Sequence, residues 1–219
     1  MNLSLQRYYS VAAGMLLVSG LSACGSAPAD ETARAEQLYQ TCAPCHGDAG
    51  LGTDTPDATT ATPAIAGMPA WYITAQVHKF RDGARGKHPD DLEGLRMRPM
   101  ARYFRTAEDL AVVADYVESM TPLQSSSSVD GDAGKGAGLY ATCTACHQAD
   151  GSGMEALGAP PLTQTQGWYL VAQLQKYKEG IRGADPNDIS GATMRPFALT
   201  LADEQAMKDV VAHIQTLGK

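Results

Sequence analysis

Two five-residue segments constrain this chain more than any other feature: Cys42-Ala43-Pro44-Cys45-His46 and Cys143-Thr144-Ala145-Cys146-His147. Two cysteines three positions apart can present both sulfurs to one planar object, and the histidine that follows lies on the same turn. Cys-x-x-Cys-His is the attachment signature of c-type haem: the sulfurs form thioethers with the haem vinyl groups and the imidazole binds the iron. Other uses of the pair fit less well. Zinc wants four ligands from neighbouring knuckles, and here the second pair lies 101 positions beyond the first. A redox dithiol belongs beside a βαβ pattern, which this sequence lacks. Disulfides would not need the histidines.

The two segments belong to a longer repeat. Leu38-Tyr39 matches Leu139-Tyr140 at the same offset, and Gly50 and Gly52 match Gly151 and Gly153. Beyond Gly52 the offset falls to 97, which a four-residue insertion before Pro63 explains. Pro63 then pairs with Pro160, Trp71-Tyr72 with Trp168-Tyr169, Gln76 with Gln173, Lys79 with Lys176, Arg85-Gly86 with Arg182-Gly183, and Met97-Arg98-Pro99 with Met194-Arg195-Pro196. The chain is a tandem duplication whose copies are joined by Pro122-Leu123-Gln124 and four serines at 125–128, a linker composition. Each copy is small for an unaided core, so something other than side chains is expected to complete it.

Within each copy the hydrophobic spacing is helical. Ile73, Val77 and Phe80 follow the i, i+4, i+7 pattern, as do Leu170, Leu174 and Tyr177, and Gly83 and Gly180 are the expected stops. Leu110, Val113, Val117 and Met120 mark a last helix capped by Thr106, and Met207, Val210, Val211, Ile214 and Leu217 mark its counterpart. No strand alternation competes. Segments rich in Gly, Pro, Asp and Thr, the Met-Arg-Pro segments among them, are expected to be loops.

The first residues read as an export signal. Arg7 is the only charge before Asp30, and an apolar stretch from Val11 to Leu21 is too short to span a bilayer. It ends Leu21-Ser22-Ala23-Cys24, the register of a bacterial lipoprotein signal in which Cys24 is acylated, so the odd fifth cysteine has a use of its own. The expected layout is a signal over 1–23, a tether over 24–32, a first domain over 33–122, a linker over 123–131 and a second domain over 132–219. Gly25 permits outer-membrane sorting by analogy with known lipoprotein signals. A formal charge of −7 with no Lys/Arg block excludes nucleic acid as a natural partner. The acidic surface is expected to steer the molecule toward a basic patch on its partner.

Each iron needs a second axial ligand or a vacancy. Thioether sulfur suits haem iron, and His/Met ligation raises the potential into the range of electron carriers. Met194 is the candidate in the second copy; Met97 and Met100 both qualify in the first. The internal alignment favours Met97, because it faces Met194 whereas Met100 faces Phe197. Met154 and Met207 read as packing. Pro63 and Pro160 sit where a backbone carbonyl can take the other imidazole N–H. Arg85/Arg182, Arg98/Arg195 and Trp71/Trp168 are candidate partners for haem propionates, or ordinary packing residues. His78, His88 and His213 do not repeat and receive no role.

With both Cys-x-x-Cys-His motifs, the Pro-x-[Ile/Leu] turns at Pro63 and Pro160, the Trp-Tyr…Gln…Lys helices and the Met-Arg-Pro segments, the chain resembles the dihaem class I cytochromes c of the cytochrome c4 type over about residues 33–219. The resemblance implies an all-α fold of two tandem small domains, each wrapping one covalent haem. It implies Cys42, Cys45, Cys143 and Cys146 as attachment points, His46 with Met97 on one iron, and His147 with Met194 on the other. It also implies a periplasmic carrier between a quinol-oxidising complex and a terminal oxidase or reductase, not an enzyme in its own right. The lipid anchor departs from a freely diffusing shuttle. A haem electron-acceptor subunit of a periplasmic dehydrogenase or sulfur-compound-oxidising enzyme is the alternative, and a non-redox metal-binding lipoprotein the third reading.

Overall fold

The computed structural model describes residues 28–54, 61–124, 126 and 128–217; the signal expected over 1–23 and Cys24 lie outside them. The described residues form ten α-helices and one 3-10 turn, five helices to each copy, with no strand longer than an isolated bridge between Met154 and Ala159. In the first copy α1 spans Pro28–Tyr39, α2 Ala43–His46, α3 Ala70–Asp82, α4 Leu92–Ala101 and α5 Ala107–Ser119. The second copy repeats them as α6 Ala133–Tyr140, α7 Thr144–His147, α8 Gly167–Glu179, α9 Ile189–Leu199 and α10 Glu204–Leu217. Helix α1 begins at Pro28, inside the stretch expected to be tether; proline at a first helical position loses nothing, since its missing N–H would have had no partner there.

The first and last helices of each copy cross, and the cysteine-bearing turn and the middle helices close the rest. Tyr39, Val77, Phe80, Phe104, Leu110, Val113 and Val117 form the first core; Tyr140, Leu201, Met207, Val210, Val211 and Ile214 form the second. Full burial of each such side chain is worth about 1.5–3 kcal/mol, and these clusters are short lists for domains of this size. Thr106 caps α5 by accepting from the Asp109 N–H. Gly83 and Gly180 end α3 and α8 in the left-handed region, at φ 86° and 77°, where a Cβ would be strained.

The Met-Arg-Pro segments correct the expectation of loops. They lie inside α4 and α9, with Pro99 and Pro196 in the helical run. Asp91 and Asp188 cap these helices by accepting from the N–H of Gly94 and Gly191, at 3.2 and 3.0 Å. Each proline removes one i→i−4 bond, a loss confined to the C-terminal end of its helix. The aspartate caps outweigh the Gly and Pro that signalled a loop.

The copies meet through a reciprocal polar network that runs across the repeat. Lys176 of the second copy bonds Asp91 at 2.6 Å and Glu93 at 2.7 Å, while Lys79 of the first bonds Asp188 at 2.6 Å and the Ser190 hydroxyl at 2.6 Å. Arg85 donates to Gln76 of its own copy at 2.7 Å and to Gln173 of the other at 3.1 Å. Arg182 mirrors it, donating to Gln173 at 2.8 Å and Gln76 at 3.2 Å. Each guanidinium also lies over a ring of its own copy, Phe80 at 4.3 Å and Tyr177 at 4.6 Å. Gln166 adds a clasp, accepting from the Ala64 N–H and donating to the Leu51 carbonyl, both at 2.7 Å.

The network makes stability depend on pH. Burial alone would raise Asp91 and Glu93, but the bonds from Lys176 hold both below their ordinary range. Carboxylates that titrate lower in the fold than in the unfolded chain stabilise it above the unfolded pKa, and that contribution is lost as pH falls through the folded one. Lys176→Met is therefore expected to melt below the parent near neutral pH, with the gap closing below about pH 4. Thermal unfolding across a pH series measures this; a gap that persists unchanged at low pH would detach it from the carboxylates.

Candidate haem-binding site

The site grows from the short turns α2 and α7. The N–H groups of Cys45 and His46 both bond the Cys42 carbonyl, at 3.2 and 2.9 Å, and those of Cys146 and His147 bond Cys143 in the same way. This winds each Cys-x-x-Cys-His into one turn, with its two thiols and the imidazole on a common rim. Tyr39 and Tyr140 brace the turns from below, donating their hydroxyls to the carbonyls of Gly47 and Gln148 at 2.7 and 2.8 Å. Burial raises the phenol of Tyr140 to about 12, so it stays a donor.

His46 Nδ1 lies 2.8 Å from the Pro63 carbonyl and His147 Nδ1 lies 2.9 Å from that of Pro160. A carbonyl only accepts, so Nδ1 carries the proton and the Nε2 lone pair is left for a metal. Burial holds both histidines below their ordinary range, opposed only in part by the carbonyl bonds, which keeps the imidazoles neutral. The carbonyl expectation for Pro63 and Pro160 matches this geometry. All four described cysteines are free thiols. Burial, then the neighbouring Cys45, pushes Cys42 up to about 11, and burial also raises Cys143; a redox dithiol would need the opposite shift.

Both turns open on one apolar cavity of about 330 Å³ shared by the two copies. Its wall includes His46, Met97 and Phe80 from the first copy and His147, Met194 and Leu174 from the second. Met97 and Met194 are half-buried, whereas Met100, which also lines the cavity, is exposed. The donor set of imidazole nitrogen and thioether sulfur suits haem iron, and among the described residues no three His, Cys, Asp or Glu side chains gather as a metal cage. Arg85 and Arg182 line the cavity with buried Nε atoms that have no partner, as expected where anionic carboxylates belong. The residues present fit a haem in each copy.

The other repeating candidates divide. Arg85 and Arg182 line the cavity and also join the copies. Arg195 donates its Nε to the Tyr177 carbonyl at 3.2 Å, and Trp168 donates to the Thr53 carbonyl of the other copy at 3.0 Å, so these two groups serve the protein itself. The expectation missed Asp91 and Asp188, although they recur at the same 97-residue offset; the signal was present, but an aspartate just after Pro89 or Pro186 reads first as a turn.

A sequence model of the family described as Cytochrome c matches residues 32–121 and again 133–218. The thiosulfate dehydrogenase electron acceptor of Stutzerimonas stutzeri (strain A1501) is 30% identical over 184 residues, covering 79% of this chain and 78% of its own. Cytochrome c4 of Azotobacter vinelandii is 28% identical over 211 residues, covering 90% and 92%. The crystal structure of reduced recombinant cytochrome c4 from Pseudomonas stutzeri superposes with a TM-score of 0.62 at 26% identity, over 83% of this chain and 95% of that one. Two Cys-x-x-Cys-His turns facing one cavity, with the family matched once per copy, make the chain a member of the cytochrome c family, a two-domain electron carrier of the cytochrome c4 type that holds two c-type haems.

Proposed function

We propose that this carrier works in the periplasm, anchored through an acylated Cys24, and moves single electrons from a quinol-oxidising complex to a terminal oxidase or reductase. Its domains are 33–122 and 132–219, joined by the linker over 123–131. Cys42 and Cys45 would attach one haem and Cys143 and Cys146 the other, with His46 and Met97, and His147 and Met194, as the axial pairs. When bound, haem supplies a one-electron couple whose potential a methionine ligand raises. The observation that carries the reading is that each copy brings a neutral, carbonyl-pinned histidine and a half-buried methionine to the same cavity. A haem held by such a histidine–methionine pair would have no coordination position left for a substrate.

The residues between the copies have a further part. Arg85 and Arg182 would hold propionate carboxylates with their partnerless Nε atoms while bonding both glutamines. Such bonds would hold the two centres at one separation. Among the described residues no helix is long and apolar enough to cross a membrane.

A second reading is favoured by the likeness to an electron acceptor of thiosulfate dehydrogenase: the chain would then accept electrons from a sulfur-compound-oxidising enzyme rather than a quinol-oxidising one. Spectroelectrochemical titration of the full-length holoprotein tests the shared core of both. The expected result is two low-spin haems with a methionine–iron band, positive potentials and negligible carbon monoxide binding after reduction. A high-spin or carbon-monoxide-binding haem would move the molecule to the enzymes.

A further inference from the structure

The two copies differ in charge at one matched place. Residues 92–105 hold four arginines, Arg96, Arg98, Arg102 and Arg105, against the single acid Glu93. The corresponding 189–202 hold only Arg195; Thr193, Leu199 and Ala202 stand where Arg96, Arg102 and Arg105 do. Arg96, Arg102 and Arg105 are exposed. They are interleaved with exposed apolar side chains, among them Leu92 at 59% and Tyr103 at 57%. Of the acids nearest in sequence, Asp91 and Glu93 bond Lys176, Glu108 and Asp109 bond Arg34, and Asp90 lies beside His88. The chain as a whole nonetheless carries −7, so this is a basic, partly apolar face on an acidic molecule.

The face adjoins the shared cavity on the side of the first copy, because Arg96 and Met100 are part of its wall. We infer that it is the docking surface for a redox protein with an acidic contact face, which exchanges electrons with the first copy. The inference rests on the carrier reading and reverses, for this copy, the expectation of a basic partner patch. An acidic partner is repelled by most of the molecule and attracted here, so the charge distribution selects both the face and the orientation. The exposed leucines and tyrosine supply the apolar contact that charge alone does not. The matched face of the second copy, with Ile189 and Leu199 exposed and no arginine at the equivalent positions, makes no such selection. The duplication thereby gives two exits of different chemistry. A lipid surface would use the arginines but has no need of a redox cavity beside them.

The test is stopped-flow oxidation of the reduced full-length holoprotein by an acidic blue-copper protein, across a salt series. Arg102→Glu with Arg105→Glu is compared with Thr200→Glu with Ala202→Glu in the second copy; all four positions are exposed. The expected result is a drop in the second-order rate of about tenfold at low salt for the arginine variant, with a flattened salt dependence, and little change for the control. An unchanged rate in the arginine variant, or equal losses in both, overturns the inference. So does an arginine variant that loses binding to phosphatidylglycerol vesicles while keeping its rate with the copper protein, which would assign the face to a membrane. Oxidation of both haems by hexacyanoferrate(III) in every variant keeps the carrier reading separate; its failure would sink that reading instead.

Discussion

Met97→Ala is expected to leave one haem low-spin and turn the other into a five-coordinate centre that binds carbon monoxide, halving the methionine–iron band. The potential of that centre should fall by about 0.2–0.4 V, within the roughly 0.8 V that axial ligands span. Met100→Ala should leave both haems low-spin and both potentials nearly in place. The asymmetry follows from where the two side chains sit. Met97 is half-buried against the first core, whereas Met100 is 36% exposed and its counterpart is Phe197, which cannot ligate iron. The titration that follows each variant reads the two outcomes directly. Loss of the band in Met100→Ala instead would exchange the two assignments and place the first copy's ligand out of register with Met194.

The second large effect is structural. Helix α6 reads Ala-Gly-Lys-Gly-Ala-Gly-Leu-Tyr, a poor helix on propensity alone, since each glycine costs about 1 kcal/mol relative to alanine. The crossing with α10 explains one of the three. A Cβ on Gly136 would come 1.9 Å from the Asp209 carbonyl oxygen and 2.9 Å from the His213 Cβ, whereas one on Gly138 would meet nothing within 4 Å. The backbones are further tied by the Asp132 N–H, which donates to the Asp209 carboxylate at 2.8 Å. In the first copy the matching residue is Ala35, itself buried, so that crossing accommodates the extra methyl. Gly136→Ala should therefore cost about 3 kcal/mol, the upper end of overpacking penalties, and lower haem incorporation in the second domain. Gly138→Ala should be neutral or stabilise by up to about 1 kcal/mol. Urea unfolding followed by circular dichroism, with haem counted per chain, distinguishes them; equal stability for the two variants would mean that the helices can separate freely.

Much of the site was legible from residue order alone because covalent attachment is local chemistry. Two sulfurs and an imidazole within five residues can be read without a fold, and duplication repeats that statement at Cys42–His46 and Cys143–His147. The same holds for the Pro63 and Pro160 carbonyls, which recur at matched places, and for the Thr106 cap and the Gly83 and Gly180 stops, whose signals act over a few residues. The Met-Arg-Pro helices were not legible, because Gly and Pro weigh toward a loop unless the capping of Asp91 and Asp188 is known.

What tertiary structure alone decided is how the two copies face each other. Gln76, Lys79 and Arg85 could be seen to repeat, but their partners across the boundary, Arg182 for Gln76, Asp188 and Ser190 for Lys79 and Gln173 for Arg85, lie about a hundred positions away. No periodicity of 3.6 or of 2 carries such a pairing. The sequence determines that each copy has the residues to hold a haem; only the folded chain decides that the lysine of one copy neutralises the aspartate of the other. Attachment depends on spacing along the chain, docking on distances through space, and charges 2.6 Å apart across the boundary can sit anywhere in the order of residues.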